Sequence, residues 1–483
     1  MESVADAIES LGKLADSKPV ATLAARFADE GFELALVGGP VRDAFLGRAV
    51  TDLDFATNAS PDDIMRIVKP ISEAQWDIGR DFGTIAARID GETVEITTYR
   101  ADSYDGTTRK PVVAFGDSLE KDLERRDFSV NAMALRLPER VLVDPWNGVE
   151  HLLSKTLTTP GSPEVSFGDD PLRMMRAARF TSQLGFTVSP DTVRAMTELA
   201  PRIEIVSVER VSDELTKLLK TDDPVPGIRL LVETGLAEQV LPEIPALKLE
   251  VDEHAHHKDV YEHSLTVLRQ AIDLEKSRPG IEGPDLVLRI AALLHDIGKP
   301  STRKIERGGV VTFYHHDVVG AKLATKRLRA LRFDKETITS VARLVELHLR
   351  FFGYTEGAWT DSAVRRYVRD AGDQLERLHI ITRADVTTRN VRKADRLAFF
   401  YDDLENRIAA IAEAEGVAAV RPDLDGEQIM AILGLKPSRE VGEAYTFLLE
   451  LRLDEGPLGE QDAEKRLRVW WSERQSDQGR TLP

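Results

Sequence analysis

The spacing of apolar positions divides the chain into an N-terminal part that mixes strands with helices and a longer helical part. Short runs of alternating character between residues 32 and 144 are typical of half-buried strands. The predicted strands include Glu33–Val37, Thr84–Ile89 and Thr93–Tyr99. Asp90-Gly91 indicates a two-residue hairpin turn. An apolar stripe over Val20–Phe27 predicts a helix before the first strand.

From Pro160 onward the apolar pattern is helical for the rest of the chain. The predicted helices include Leu172–Leu184, Asp191–Leu199, Glu209–Leu219, Ile228–Thr234, Leu404–Glu415 and Gly426–Leu433. Two prolines, Pro242 and Pro245, and a histidine-rich stretch after Asp252 mark a boundary, and a further helical unit runs from Tyr261 to about Thr388. The expected fold is an α+β domain with a mixed or antiparallel sheet, followed by all-α domains.

Composition limits the class of protein. The 483 residues suffice for three or four domains, and no apolar run has the length of a membrane span. The acidic N-terminus lacks the pattern of a signal peptide. The absence of cysteine excludes disulfides, zinc ribbons and thiol catalysis, and it fits a cytoplasmic location. The net charge of −18 argues against a broadly basic nucleic-acid surface, so any nucleic acid must bind a local basic patch.

An acidic pair in the N-terminal part points most directly to chemistry. Asp52 and Asp54 are one residue apart, and such residues project to the same face of a strand. Adjacent carboxylates repel each other unless a cation lies between them, and hard oxygen ligands suit Mg²⁺ bound together with substrate phosphates. Gly38 and Gly39 leave backbone amides to cradle phosphates. This pattern predicts metal-assisted nucleotidyl transfer, with Glu95 as a third acidic group or as a solvated charge on a polar strand face.

Two later segments carry charged residues that have more than one explanation. Arg125 and Arg126 can neutralise a triphosphate, or they can begin a helix and form surface ion pairs. Asp170 and Arg173 are three residues apart and would share a helix face. Asp170 followed by proline is also a plain helix start, with the aspartate at the N-cap and the proline at the first helical position. Sequence physics alone favours capping for Asp170.

These segments together resemble one family, the class II CCA-adding tRNA nucleotidyltransferases of the polymerase β superfamily. The matching motifs are residues 38–43 (Gly-Gly-Pro-Val-Arg-Asp), 52–54 (Asp-Leu-Asp), 125–132 (Arg-Arg-Asp-Phe-Ser-Val-Asn-Ala) and 169–180 (Asp-Asp-Pro-Leu-Arg-Met-Met-Arg-Ala-Ala-Arg-Phe). The family usually shows Glu-Asp-x-x-Arg in the last motif, where this chain has Asp169 in place of the glutamate. The resemblance covers about residues 33–245.

The resemblance implies a role for each of these residues. Asp52 and Asp54 would hold two Mg²⁺ ions that align the RNA 3′-hydroxyl and stabilise the leaving pyrophosphate. Glu95 is expected as a third catalytic carboxylate from its place on the strand, not from the resemblance. Asp170 and Arg173 would select the base without a nucleic-acid template, the aspartate accepting from the exocyclic amine shared by cytosine and adenine. The residues expected to bind the nucleotide are Gly38, Gly39, Arg42, Asp43, Arg125, Arg126, Asp127, Asn131, Asp170, Arg173, Arg176 and Arg179.

A second constellation lies in the helical part, where nine of the ten histidines fall between positions 254 and 379. Imidazoles combined with carboxylates suit transition metals such as Mn²⁺, Ni²⁺ or Fe²⁺. The His295-Asp296 pair and its neighbours resemble the HD phosphohydrolase superfamily, which implies water activation against a phosphate ester. The expected ligands are His263, His295, Asp296, His316, His348 and Asp385. In some CCA-adding enzymes such a domain resembles a phosphatase or a 2′,3′-cyclic phosphodiesterase that acts on RNA ends, and in others it is mainly structural, so the resemblance leaves both alternatives open.

Two features bear on which nucleotides are added. Bacterial poly(A) polymerases share the head motifs, add only A, and tend to carry Arg-Phe-Arg/Lys where this chain has Phe82-Gly83-Thr84, which resembles the CCA-adding members. The loop 101–117 resembles the flexible loop that accompanies the switch from C to A addition. Both features favour addition of C, C and A to tRNA from CTP and ATP.

The resemblance implies four domains and a set of partners. The domains are a nucleotidyltransferase head (1–158), a helical neck for base recognition and RNA binding (159–250), an HD domain (251–390) and a helical tail that binds tRNA (391–483). The expected partners are tRNA, CTP and ATP, with no membrane and no obligate protein partner. The alternatives are a poly(A) polymerase of the same family and an HD phosphohydrolase whose head only binds RNA. A non-catalytic RNA-binding adaptor is disfavoured, because unpaired adjacent carboxylates are costly.

Overall fold

The computed structural model describes residues 4–50, 52–79, 83–100, 118–248, 259–307, 309, 311–356, 359–387, 390–415 and 421–480. The chain divides into two compact units, residues 1–245 and 246–483. None of the helices in the described ranges is long and apolar enough to cross a membrane. The division into four domains stays a prediction.

A mixed seven-stranded sheet forms the centre of unit 1, as the sequence predicts. Its strands are β1 (Leu34–Val37), β2 (Leu53–Thr57), β3 (Ala74–Gly79), β4 (Thr84–Ile89), β5 (Glu92–Thr98), β6 (Ala134–Leu137) and β7 (Val141–Val143). Across the sheet they follow the order β3-β4-β5-β2-β1-β6-β7. Strands β2 and β5 are parallel, and the other neighbouring pairs are antiparallel.

The hairpin of β4 and β5 shows how the sequence positions an acidic side chain. Asp90 (φ 51°) and Gly91 (φ 82°) form the predicted two-residue turn with two left-handed residues. In β5, Val94 and Ile96 are buried, whereas Glu95 points to the opposite, exposed face. This alternation places Glu95 beside its partner on β2, which is Asp54.

Helices surround this sheet and continue beyond it within unit 1. They are α1 (Val4–Asp16), α2 (Lys18–Asp29), α3 (Gly39–Phe45), α4 (Pro61–Val68), α5 (Leu119–Glu124), α6 (Gly148–Leu153), α7 (Pro163–Asp169), α8 (Leu172–Leu184), α9 (Pro190–Leu199), α10 (Val208–Leu219), α11 (Val225–Glu233) and α12 (Leu236–Val240). Short 3₁₀ turns occupy Ser129–Asn131 and Ala200–Ile205.

The prediction of an entirely helical chain after Pro160 is wrong in two places. In unit 1, β9 (Thr187–Val188) pairs in parallel with β8 (Thr156–Leu157). Gly185 ends α8 in a left-handed conformation, and the β-branched residues that follow favour extended backbone. In unit 2, β10 (Lys304–Ile305) and β11 (Val311–Thr312) form a short antiparallel pair.

Apart from that pair, the regular structure in the described ranges of unit 2 is helical. Its helices are α13 (Val260–Ser277), α14 (Leu286–Leu294), α15 (Lys299–Thr302), α16 (His316–Ala330), α17 (Lys335–Leu347), α18 (Phe352–Glu356), α19 (Asp361–Ala371), α20 (Leu375–Ala384), α21 (Val391–Glu415), α22 (Gly426–Leu433), α23 (Arg439–Glu455) and α24 (Glu460–Arg480). Helix α21 begins well before the predicted start at Leu404. The sequence does not indicate the earlier start, because the N-terminal half of the helix exposes apolar residues such as Val391 and Phe399 and so lacks a clear apolar stripe.

A close backbone approach in unit 2 requires a glycine. A Cβ atom at Gly298 would lie 2.0 Å from the carbonyl oxygen of His316 and 2.8 Å from the backbone nitrogen of Gly320. Both neighbours belong to the backbone of α16, which cannot move as a side chain can. The segment after Asp296 therefore packs directly on α16.

We predict that Gly298→Ala lowers the free energy of unfolding by about 1–3 kcal/mol, because the added methyl group overpacks this contact. The matched control is Gly442→Ala in α23, where nothing lies within 4 Å of the added Cβ. That change should be neutral or stabilise by up to ~1 kcal/mol, since alanine favours a helix interior. Thermal unfolding of both variants measures the difference. Equal midpoints for the two variants would contradict the packing argument.

Candidate nucleotide site and metal centre

An open polar cleft of about 520 Å³ in unit 1 collects most of the residues predicted to act on a nucleotide. The predicted residues that line it are Gly38, Gly39, Arg42, Asp52, Asp54, Arg125, Arg126, Asp127, Asn131, Asp170, Arg173, Arg176 and Arg179. Lining residues not predicted are Thr97, Arg100, Asp122, Phe180 and Gln183. Seven arginines and five aspartates line the cleft, which is a local positive excess in a chain of net charge −18.

The acidic side of the cleft is built on the parallel pair β2–β5. Asp54 lies opposite Glu95 in the strand register, and Asp52 immediately precedes β2. Burial raises the pKa of Asp54 to about 6, with the Glu95 and Asp52 carboxylates also raising it and Arg126 opposing them. A divalent cation bound here would relieve this repulsion, so the donor set fits Mg²⁺. Glu95 stays exposed outside the cleft lining.

Gly38 is required for a reason other than the predicted one. Its backbone N–H donates to the carbonyl oxygen of Met133 at 3.1 Å, so this amide is not free for a phosphate, and that prediction is wrong. Gly38 has φ 72°, and a Cβ there would lie 2.8 Å from Nη1 of Arg126. The glycine therefore permits left-handed backbone and the close approach of a guanidinium group. Gly39 is the first residue of α3.

A network of hydrogen bonds fixes two of the arginines that line the cleft, Arg42 and Arg176. Arg42 is buried and donates through Nε and Nη2 to Asp43, both at 2.8 Å, and through Nη1 to Asn131 at 2.8 Å. Asn131 in turn donates to Asp127 at 3.0 Å, and Arg176 donates to the other oxygen of Asp127 at 2.8 Å. Asp43 thus supports Arg42 from behind and does not line the cleft, in contrast to its predicted contact with nucleotide.

Phe180 provides an aromatic surface for three of these guanidinium groups. The Cζ atoms of Arg42, Arg176 and Arg179 lie 5.5, 5.7 and 4.2 Å from its ring centroid. The Phe128 ring contacts Phe180 edge-on at 5.7 Å. Phe180 belongs to the motif 169–180, but no role was predicted for it, because a phenylalanine at helical spacing is typical of an ordinary core position.

Arg125 and Arg126 follow the C-terminal end of a helix, and the alternative that they begin one is wrong. Helix α5 ends at Glu124, and Arg125 is its C-cap residue. Cations are favourable at this end, since the helix dipole is negative there. Arg126 also pairs with Asp122 at 3.2 Å. Both arginines line the cleft as predicted.

The predicted base-selecting pair lies at the start of α8. The Oδ1 atom of Asp170 accepts from the backbone N–H of Leu172 at 3.1 Å, which is a capping contact. The helix begins at Leu172, as the apolar pattern predicts, and its N-cap residue is Pro171 rather than Asp170, whose backbone is extended (φ −138°, ψ 98°). Arg173 donates to Oγ of Ser166 at 2.8 Å and to the Arg125 carbonyl oxygen. Both predicted side chains line the cleft.

Helix α10 carries two charged residues that sequence analysis missed. Nη2 of Arg210 donates to Oδ2 of Asp170 at 2.8 Å. Glu214 is buried and accepts from Nε of Arg179 at 2.7 Å. Both partners lie more than 30 residues earlier in the chain, and no local pattern signals such a pairing.

In unit 2, all six predicted metal ligands converge, and four of them lie at or next to helix ends. His295 follows α14, His316 begins α16, His348 follows α17 and Asp385 follows α20. Two groups of ligand atoms each lie within 4.8 Å of one another. They are His263, His295 and Asp385, and Asp296, His316 and His348. Neither group includes the acidic residues of the unit 1 cleft.

Asp296 lies between the two groups. Its Oδ2 is 3.5 Å from Nε2 of His263 and 3.3 Å from Nε2 of His295, whereas its Oδ1 is 3.2 Å from Nε2 of His316. Lys299 also contacts Oδ2, at 2.6 Å. A carboxylate that faces imidazoles on both sides can bridge two metal ions.

The histidine tautomers suit metal binding. Nδ1 of His295, His316 and His348 bonds the carbonyl oxygen three residues earlier, at 2.8, 2.7 and 2.6 Å. Each Nε2 is left to face the cluster, and those of His316 and His348 are buried without a hydrogen-bond partner in the described residues. Burial lowers the pKa of His348 to about 4, with His295 adding to the effect. The two orphaned Nε2 atoms, and the lowered pKa that keeps the His348 ring neutral, fit transition-metal ions.

Three sequence features lie outside the described residues. They are Phe82, the loop 101–117 and the histidines at positions 254, 256 and 257. The interpretations that rest on them stay predictions.

Comparisons with known proteins agree with this architecture. Residues 34–158 match the family described as poly A polymerase head domain, residues 185–247 match the probable RNA and SrmB-binding site of polymerase A, and residues 260–390 match the HD domain. The crystal structure of the Bacillus stearothermophilus CCA-adding enzyme in complex with CTP is similar in fold, with a TM-score of 0.65 and 24% identity over 95% of this chain and all of that one.

Curated relatives give the family. The A-adding tRNA nucleotidyltransferase of Deinococcus radiodurans is 35% identical over 427 residues, which are 86% of this chain and 91% of that protein. The CCA-adding enzyme of Geobacillus kaustophilus is 42% identical over 208 residues, 43% of this chain and half the length of that protein. The chain belongs to the family of tRNA nucleotidyltransferases that contain a poly A polymerase head domain.

The buried carboxylate of Asp127 generates a test of the network. Burial by itself would raise the pKa of Asp127, but Arg176 and Asn131 overcome that effect and lower it to about 2. A carboxyl group with a lowered pKa stabilises the fold above its unfolded pKa of ~4, and the contribution is lost as the pH falls through the folded value.

We predict that Asp127→Asn lowers the free energy of unfolding at neutral pH by about 1–2 kcal/mol. This is less than the ~3–5 kcal/mol typical of breaking a fully buried pair, because the Arg176 side chain is 36% exposed. Urea unfolding should show the gap to wild type narrowing below about pH 4. The control is Asp29→Asn, at an exposed end of α2. A difference in the free energy of unfolding that stays constant with pH would contradict the lowered pKa of Asp127.

Proposed function

We propose that the cleft of unit 1 adds C, C and A to the 3′ end of tRNA from CTP and ATP without a nucleic-acid template. One observation carries this proposal. The acidic pair Asp52 and Asp54 and the pair Asp170 and Arg173 line the same cleft. A site that joins catalytic carboxylates to side chains able to read a base edge suits an enzyme in which the protein selects the nucleotide.

The proposed roles follow from the contacts. Asp52 and Asp54 hold Mg²⁺, which supplies charge neutralisation and aligns the reacting oxygens when bound. Arg42, fixed by Asp43 and Asn131, and Arg126, adjacent to Gly38, face the triphosphate and neutralise it.

Base selection falls to the two side chains at the start of α8. Arg173 donates to acceptors on the Watson–Crick edge, and Asp170 accepts from the exocyclic amine of cytosine or adenine. Uracil and guanine carry a carbonyl at the corresponding positions and give Asp170 no donor.

Addition of A alone is the second candidate function. It is favoured by the similarity to the A-adding enzyme of Deinococcus radiodurans, which extends over most of both chains. The proposal of CCA addition is supported by the higher identity to CCA-adding enzymes over shorter segments and by Phe82-Gly83-Thr84.

Two tRNA substrates separate the candidates, one lacking the whole CCA end and one ending in CC. We expect the first to gain C, C and A when CTP and ATP are supplied together, as read by sequencing the 3′ ends. Extension confined to the CC-ending substrate with ATP would exclude CCA addition and support A addition. No incorporation on either substrate would contradict nucleotidyl transfer.

Replacing Asp52 tests the acidic pair. Asp52→Ala should reduce incorporation by at least ~100-fold, because charge stabilisation in the reaction depends on the metal it holds. The exposed change Asp29→Ala is the control and should retain wild-type rates. Circular dichroism should show that both variants are folded. Retained activity in Asp52→Ala would exclude this residue as a metal ligand.

We further propose that unit 2 hydrolyses a phosphate ester at RNA ends. The two ligand groups bridged by Asp296 support this, since paired metals activate water against phosphate esters. A cytoplasmic location is proposed for the whole protein, supported by the absence of cysteine.

Hydrolysis of a 2′,3′-cyclic nucleotide and of p-nitrophenyl phosphate tests the unit 2 proposal. We expect activity with added Mn²⁺, Ni²⁺ or Fe²⁺, loss with a chelator, and loss in His295→Ala. Nucleotide addition should persist in that variant, because His295 lies in the other unit. Absence of hydrolysis with all three metals would contradict a catalytic role for unit 2.

A further inference from the structure

The carboxylate of Asp170 is held in one orientation by two donors. Oδ1 accepts from the N–H of Leu172 at 3.1 Å, and Oδ2 accepts from Nη2 of Arg210 at 2.8 Å. The terminal torsion of an aspartate is otherwise broad, so a single capping bond would leave the plane of the carboxylate loosely defined. The second donor, Arg210, fixes that plane relative to the cleft.

Arg210 reaches Asp170 from a firmly packed helix. Arg210 and Glu214 are four residues apart and lie on the same face of α10. The Glu214 side chain is only 4% exposed and bonds Arg179, which belongs to α8 and lines the cleft. One face of α10 is therefore tied to both the beginning and the middle of the α8 segment. Arg210 itself is not among the residues that line the cleft.

We propose that Arg210 is a specificity-determining positioning residue that orients Asp170 toward the exocyclic amine of the incoming base. This inference rests on the proposed function, in which Asp170 reads that amine. Cytosine differs from uracil, and adenine from guanine, by an amine in place of a carbonyl at the position read. A fixed acceptor rejects the carbonyl, because two acceptors face each other without a proton between them. An acceptor free to rotate away rejects it less.

The ion pair is suited to orientation more than to stability. The side chains of Arg210 and Asp170 are 53% and 25% exposed, and exposed ion pairs contribute little to folding. Removing Arg210 should therefore leave the unfolding temperature close to that of wild type. Its effect should appear in the choice of nucleotide.

The experiment compares Arg210→Met and Arg210→Lys with wild type. The control is Arg194→Met, which removes a similarly exposed arginine ion pair on α9 away from the cleft. For each protein, kcat/KM is measured for CTP and UTP on tRNA lacking its CCA end, and for ATP and GTP on tRNA ending in CC. The two ratios report amine selection whether the enzyme adds CCA or only A. Thermal unfolding accompanies each variant.

We expect Arg210→Met to lower the ratio of kcat/KM for the amine-bearing nucleotide to kcat/KM for the carbonyl-bearing one by about tenfold or more. The reason is that misplacing a group by ~1 Å can reduce the rate by up to ~100-fold. Arg210→Lys should restore part of the ratio, and Arg194→Met should leave it unchanged. If Arg210 had only a structural role, its replacement would lower kcat/KM equally for all four nucleotides and leave both selectivity ratios unchanged. If wild type is selective and Arg210→Met has the same ratios, the inference about Arg210 is overturned, whereas the proposed function still stands. A wild type that adds no nucleotide would overturn the proposed function.

Discussion

The parallel pairing of β2 with β5 is the constraint on which the nucleotide site depends. This register places Asp54 directly opposite Glu95, with Asp52 one step before the strand. Burial raises the pKa of Asp54, the neighbouring Glu95 and Asp52 carboxylates add to the effect, and a bound cation or a proton would relieve it. The acidic side of the cleft is thus a consequence of sheet topology.

On the opposite side of the cleft, positive charges lie close to one another. Its arginines would repel one another, and the structure balances them with acids in and behind the lining of the cleft. Asp43 holds Arg42, Asp127 holds Arg176, and Glu214 holds Arg179. Phe180 adds a face on which guanidinium groups stack. These supports fix the donors before a triphosphate arrives, which lowers the cost of ordering them upon binding.

Local patterns predicted the elements well, whereas the supports depend on long-range contacts. The β4 strand, the Asp90-Gly91 turn and α8 lie where the sequence places them, because each is encoded by neighbouring residues. The hydrogen bond from the Gly38 amide could not be predicted from neighbouring residues, since its acceptor, the carbonyl oxygen of Met133, is almost a hundred residues away.

The same reason explains the other differences. Arg210 and Glu214 look like surface charges on an amphipathic helix until the fold brings α10 against α8. The histidine site was more accessible to sequence analysis, because its ligands follow an ordered motif and metal ligands are restricted to few residue types. All six of its predicted ligands converge.

The central claim is that one cleft in unit 1 both binds the metal and reads the base. A crystal structure of the protein with CTP and Mg²⁺ tests this claim most directly. We predict the metal at Asp52 and Asp54, the triphosphate beside Gly38 and Arg126, and the cytosine amine within hydrogen-bond distance of the Asp170 carboxylate, with Arg173 on the same base edge. A cytosine that makes no contact with Asp170 or Arg173, or a triphosphate bound outside this cleft, would contradict the account.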